Sequence, residues 1–143
     1  MINPIDELIR FQTDRELDKQ PYDALNEATS MFEETLETFG YDVPKANRKD
    51  LKTKLSIFIS EIVLAGIACE GDTTKDGKTN GHADQIALSV GALLKLGMCP
   101  NAVLIETAKE INSRVGTMVD GKFEKDLTKS DDWYIPDYSN CSR

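Results

Sequence analysis

Residues 33–37, Glu33-Glu34-Thr35-Leu36-Glu37, put three carboxylates on one turn of a segment whose apolar residues demand a helix. Leu25, Ala28, Phe32, Leu36 and Phe39 recur at spacings of three and four, the period of a single helix face, and Gly40 follows as a C-cap. On that helix Glu33 and Glu37 are i,i+4 neighbours and Glu34 and Glu37 are i,i+3, so like-charge repulsion costs about 0.2–0.5 kcal/mol per pair. No lysine or arginine lies between Lys19 and Lys45 to relieve it. The plain reading is a solvated acidic face. The sharper one is a site for a hard divalent cation such as Mg2+, which takes oxygen ligands. Relative to the apolar stripe, Glu33 and Glu37 are expected on its flank and Glu34 nearly opposite, with all three carboxylates outside the seam.

The same period marks four more helices. Asn3, Pro4, Asp6 and Glu7 have the form of a helix start, a capping side chain followed by proline and acids in the first turn, and this helix is expected to run to about Asp18. After a connection over residues 41–49 containing Pro44, a third helix carries Leu51, Leu55, Phe58, Ile62, Ala65 and Cys69. Residues 71–81 read as a hydrophilic, turn-rich loop. A fourth helix is predicted from His82, with Ile86, Val90, Leu93 and Leu94, to Gly97, and a fifth from Pro100, with Val103, Leu104, Ala108 and Ile111. Asp120-Gly121 suggests a tight hairpin turn between residues 117–119 and 122–123. The polar tail, with Trp133, Tyr134, Ile135 and Tyr138, is of a kind that docks on its own or a neighbouring subunit. The expected fold is an all-α bundle of about five helices with an irregular C-terminal tail. It forms one domain over residues 1–143, with an N-terminal helix in 1–20 and the tail in 113–143. The wide apolar content of residues 51–69 suggests contact on more than one side, which fits an oligomer or a one-subunit core alike.

A formal net charge of −8 argues against nucleic acid as a partner, since phosphate backbones are bound by an excess of lysine and arginine. The most apolar stretch, residues 55–69, is shorter than the roughly 20 residues of a membrane span and contains Glu61. The N-terminal residues show neither a basic nor an apolar region of a signal peptide, and a cytoplasmic location is expected. Cys69, Cys99 and Cys141 are odd in number and widely spaced, which suggests free thiols rather than a disulfide framework or a thiolate zinc site. His82 is the single histidine, so multi-histidine zinc chemistry is unavailable. Residues 72–77 open like a calcium-binding EF-hand loop, but the position needing a bidentate glutamate is Ala83.

Asp84, expected in the first turn of the fourth helix, has a neighbourhood that says more than its charge. The run Asp84-Gln85-Ile86-Ala87-Leu88-Ser89-Val90-Gly91-Ala92-Leu93-Leu94-Lys95-Leu96-Gly97 resembles the second metal-binding helix of the MazG-like and phosphoribosyl-ATP-pyrophosphohydrolase-like superfamily of all-α NTP pyrophosphohydrolases. With Glu33-Glu34-x-x-Glu37 it supplies two of that family's signatures in order. A third block is Glu110-Ile111-Asn112-Ser113-Arg114, then residues 120–126, then Trp133-Tyr134. It looks like the segment that closes over the nucleotide phosphates in phage and bacterial relatives. The resemblance covers most of residues 22–138.

It implies a Mg2+-dependent enzyme that cleaves a nucleoside triphosphate to the monophosphate and pyrophosphate, built as a homodimer or homotetramer. In that reading Glu34, Glu37 and Asp84 hold the metal and Glu33 orients or deprotonates the attacking water. Asn112, Arg114, Lys122 and Lys125 meet the phosphates. One departure matters: the family's second helix carries a further acid three or four residues before the aspartate, where this chain has Gly81 and Asn80. Asn80 offers a neutral amide oxygen without charge or basicity. Glu61 is the best substitute, since a buried glutamate without a partner is costly; its alternative is an edge position that reaches solvent. For Arg114, Lys122 and Lys125 the plain alternative is solubility, and for Trp133, Tyr134 and Tyr138 it is packing of the tail rather than stacking on a nucleobase. The competing function is a catalytically weakened helical protein that binds a nucleotide or a protein without turnover.

Overall fold

Helix starts in this protein follow capping chemistry, as seen in a computed structural model that describes residues 1–119 and 122–143. Asn3 accepts from the Ile5 N–H and Pro4 fills the first turn of α1 (Pro4–Asp14), and Asp23 accepts from the Asn26 N–H at the head of α2 (Ala24–Thr38). Then come α3 (Arg48–Leu64), α4 (Lys75–Lys95) and α5 (Pro100–Ser113), and a two-stranded sheet of β1 (Gly116–Val119) and β2 (Lys122–Lys125). The fold is therefore all-α with a C-terminal tail. The Asp120-Gly121 turn expected between the strands lies outside the described residues. Among the described residues no helix is long and apolar enough to cross a membrane.

Three boundaries differ from the sequence reading. The first helix stops at Asp14, after which Glu16 turns left-handed (φ 56°) ahead of a short 3-10 turn at Leu17–Lys19. The third ends at Leu64 rather than Cys69, because Gly66 takes a left-handed φ of 70°. The fourth starts at Lys75 rather than His82. Its cap is local: Asp72 Oδ1 accepts the Thr74 N–H (2.8 Å) and hydroxyl (2.5 Å), and Thr74 Oγ1 accepts the Gly77 N–H at 3.4 Å. Residues 75–81 are polar all round, so no apolar period announces this first stretch of helix. Asp84 consequently lies in the interior of α4, where the dipole of a first turn does not account for it.

The chain divides into two compact units: Met1–Gln20, Asp72–Val119 and Phe123–Arg143 form the first, and residues 21–71 with Lys122 the second. In the first, α1 packs on α5, burying Phe11 and Ala108, and Phe11 meets the Phe123 ring edge-on at 5.4 Å. Arg15 lays its guanidinium 4.4 Å from the Phe11 ring centroid and donates to the carbonyls of Asn112 (3.1 Å) and Arg114 (2.9 Å), which covers the C-terminal end of α5. In the second, α2 packs on α3 around Leu55, with Asn26 and Thr29 buried.

The tail docks on its own chain, and Glu106 of α5 is the anchor. Its carboxylate accepts from Lys109 (2.6 Å), the Tyr134 hydroxyl (2.6 Å) and the Asp137 N–H (3.2 Å), and these bonds hold its pKa at about 2. Tyr138 meets Thr107 at 3.0 Å, and the Cys99 N–H donates to the Cys141 carbonyl at 2.7 Å. A carboxyl with a depressed folded-state pKa stabilises its contacts above the ordinary value of 4.5 and loses that contribution as pH falls toward about 2. The protection of the Asp137 and Cys141 amides from hydrogen exchange, taken relative to their intrinsic rates at each pH, should therefore hold at neutral pH and fall within that acid window. Glu106→Ala should accelerate their exchange at pH 7 by about tenfold or more while leaving the α1 amides unchanged.

Candidate functional site

Three residues of α2 one turn apart, Asn26, Ser30 and Glu33, converge on one guanidinium supplied by the first residue of α3. Arg48 Nη2 donates to the Asn26 carbonyl (3.3 Å), Asn26 Oδ1 (3.0 Å) and Ser30 Oγ (3.1 Å), and Nη1 donates to Glu33 Oε1 at 2.9 Å. Both ends of the ion pair are largely buried, with side-chain exposures of 14% for Arg48 and 12% for Glu33. Lys122 Nζ donates to the other oxygen, Glu33 Oε2. Burial pushes the Glu33 carboxyl up, but the bonds from Lys122 and Arg48 outweigh it and hold the group below the usual carboxylate range.

Two expectations are corrected here. Glu33 is not part of an uncompensated cluster, because two cations distant in sequence neutralise it. Nor is it outside the seam: the packed face of α2 runs through Asn26, Thr29 and Glu33, while Phe39, expected on that face, is 74% exposed. The apolar stripe misleads because Arg48 makes polar residues acceptable inside the contact.

Glu34 and Glu37 are exposed on the same turn of α2. Glu61 of α3 is exposed as well, which matches the solvent-edge alternative for it. On α4, in the first unit, Asn80 and Asp84 are i,i+4 neighbours, and the Asn80 amide donates to Asp84 Oδ2 at 3.1 Å. Among the described residues, within neither unit do three His, Cys, Asp or Glu side chains gather to hold one ion. The donor chemistry of Glu34 and Glu37 nonetheless fits Mg2+, which is held by one or two protein carboxylates together with waters and substrate phosphates rather than by an all-protein cage.

The residues expected to meet phosphates are differently engaged. Lys122, in the second unit, reaches Glu33 of α2. Arg114 is paired in bidentate fashion with Glu110 (2.7 and 2.6 Å), and with Asn112, Arg10 and Arg15 it lines an open cleft of about 450 Å³ in the first unit. Both amide hydrogens of Asn112 are taken, by the carbonyls of Glu7 and Ala108 at 3.0 Å each, which leaves only its oxygen for a ligand. Lys125 lies 5.8 Å from the Trp133 ring centroid and Lys109 5.5 Å from that of Tyr134. With their hydroxyls on Glu106 and Thr107, Tyr134 and Tyr138 pack the tail, the plain alternative for them.

Sequence reasoning missed Arg48, Asn26, Arg15 and Glu106. Each acts on partners in another element, and no local spacing signals that. Comparison of the chain with protein-family models, curated proteins and solved structures found no match.

The Asn112 amide joins α1 to α5, so Asn112→Ala should lower unfolding stability by about 1 kcal/mol, because the side-chain bond to the Glu7 carbonyl is lost. A shift in the urea midpoint with an unchanged m-value would register this.

Proposed function

We propose that the protein is a Mg2+-dependent nucleoside triphosphate pyrophosphohydrolase, cleaving an NTP or dNTP to the monophosphate and pyrophosphate. The observation that carries this reading is on α2: Glu34 and Glu37 stand exposed on one turn, beside a Glu33 whose two oxygens are each held by a cation. The three sequence blocks in family order add to it. Glu34 and Glu37 would hold the metal, the family resemblance adding Asp84 with Asn80 or Glu61 as helpers, and the ion would supply charge neutralisation for a phosphoryl reaction that needs no covalent nucleophile. Glu33 orients the attacking water through a lone pair left free by its fixed hydrogen bonds. Lys122 supplies positive charge beside Glu33, the family resemblance would add Arg114 and Lys125 toward the phosphates, and Asn112 contributes at most its oxygen. Three free thiols suit a reducing cytosol.

The second reading, a helical nucleotide- or protein-binding protein without turnover, draws on Asn80, a neutral amide directed at Asp84 where the family has an acid. Pyrophosphate release from a panel of standard and modified NTPs and dNTPs with Mg2+ decides between them. The enzyme predicts turnover that falls by about 100-fold or more in Glu37→Gln. Nucleotide-dependent thermal stabilisation with no turnover would favour the binder.

The assembly is proposed to be a homodimer or homotetramer that covers apolar residues of α3 and its end, including Phe58 (54% exposed), Leu64 (86%) and Ile67 (78%). Sedimentation should then give at least a dimer, and Leu64→Glu should shift it toward the monomer. A monomeric parent at micromolar concentration would refute the assembly.

A further inference from the structure

We propose that Arg48 is the positioning residue for Glu33, acting through that carboxylate and not on the substrate; this rests on the pyrophosphohydrolase reading. The argument is geometric. A glutamate on a helix has three side-chain torsions to lose before it can hold a water in an attacking position, and misplacement by about 1 Å can cost on the order of 100-fold in rate. Arg48 removes that freedom in advance. Its guanidinium is a rigid, planar fork, and here one nitrogen is fastened to Asn26 O, Asn26 Oδ1 and Ser30 Oγ while the other holds Glu33 Oε1. The Glu33 carboxylate is thereby registered against the backbone of its own helix, one and two turns earlier.

Lys122, the second partner, cannot do this. Its ammonium is a point charge on a flexible stem, its side chain is 35% exposed, and Glu33 is its one hydrogen-bond partner among the described residues. Lys122 therefore neutralises, and Arg48 both neutralises and orients. Lysine at position 48 would keep the charge and lose the fork, so the two contributions can be separated.

The test uses Arg48→Met, Arg48→Lys, Glu33→Gln and the double variant Arg48→Met/Glu33→Gln in the full chain. The readouts are kcat and KM on the most active triphosphate of the panel and the melting temperature without ligand. Positioning predicts that Arg48→Met lowers kcat roughly 100-fold with KM within about threefold, and that Arg48→Lys recovers about tenfold of that loss. In the Glu33→Gln background the same Arg48→Met change should alter kcat by less than about threefold, since nothing is left to position. Arg48→Met should also depress the melting temperature less in that background than in the parent. An Arg48→Met protein with kcat within threefold of the parent overturns the proposal, as does an equal fold-loss in both backgrounds, which marks a merely structural arginine. Should Arg48→Met fail to fold, Arg48→Lys decides: a rate equal to the parent's overturns the proposal, and an about tenfold lower kcat at unchanged KM and melting temperature supports it. A parent inactive on every triphosphate removes the pyrophosphohydrolase reading and this proposal with it, whereas an active parent indifferent to Arg48 removes this proposal alone.

Discussion

A carboxylate taken out of water keeps its charge only where other donors replace the water it has lost, and the second unit is organised around that requirement. Glu33 lies in the contact between α2 and α3, so α3 must begin with a cation that reaches it. Arg48 meets the requirement and at the same time satisfies Asn26 and Ser30, which turns the packed face of α2 into a polar one. Buried ion pairs are weak sources of net stability, because desolvation offsets much of the attraction and apolar residues of similar volume often do as well. What the arrangement contributes is position. Arg48 holds the Glu33 carboxylate at a defined place, with Lys122 adding a second positive charge, beside Glu34 and Glu37, which remain exposed.

The first unit uses the same kind of bond for a different purpose. Few of its apolar side chains are buried, Pro4, Phe11, Ala108 and Cys141 being the ones among the described residues, so directional contacts to backbone groups fix how the elements meet. Asn112 ties α1 to α5, Arg15 covers the carbonyls where α5 ends, and Glu106 gathers the tail. In each case a polar side chain directs a bond from one element to another, and Arg15 and Glu106 do so at a helix end and at an irregular segment. Residues that a motif-based reading assigns to phosphate, Asn112 and Arg114, are thus also the joints of this unit.

Much of the architecture is legible in one dimension because its causes are local. The cap at Asn3, the proline that opens α5, the apolar period of α2 and α5 and the change of character after Asn112 all depend on neighbours within a turn or two. The head of α4 is the instructive exception: its cap is also local, an Asp72–Thr74 pair, but a polar first stretch hides the helix from any pattern built on apolar spacing. The candidate site divides in the same way. The exposure of Glu34 and Glu37 agrees with their place on the helix, and Glu61 at a solvent edge was one of the two readings its surroundings allowed. Glu33 was misjudged because its counter-ions are not its neighbours.

By itself the sequence determined that the chain is helical, where most of its helices start, and that one histidine and three widely spaced cysteines leave carboxylates as its candidate metal ligands. Those properties are written in composition and in spacings of three and four, which act within one element. Only the tertiary structure decided which carboxylate is neutralised and which donors are already committed. The bonds to Glu33 join residues 15 and 89 positions away along the chain, and an electrostatic interaction depends on distance in space rather than along the sequence.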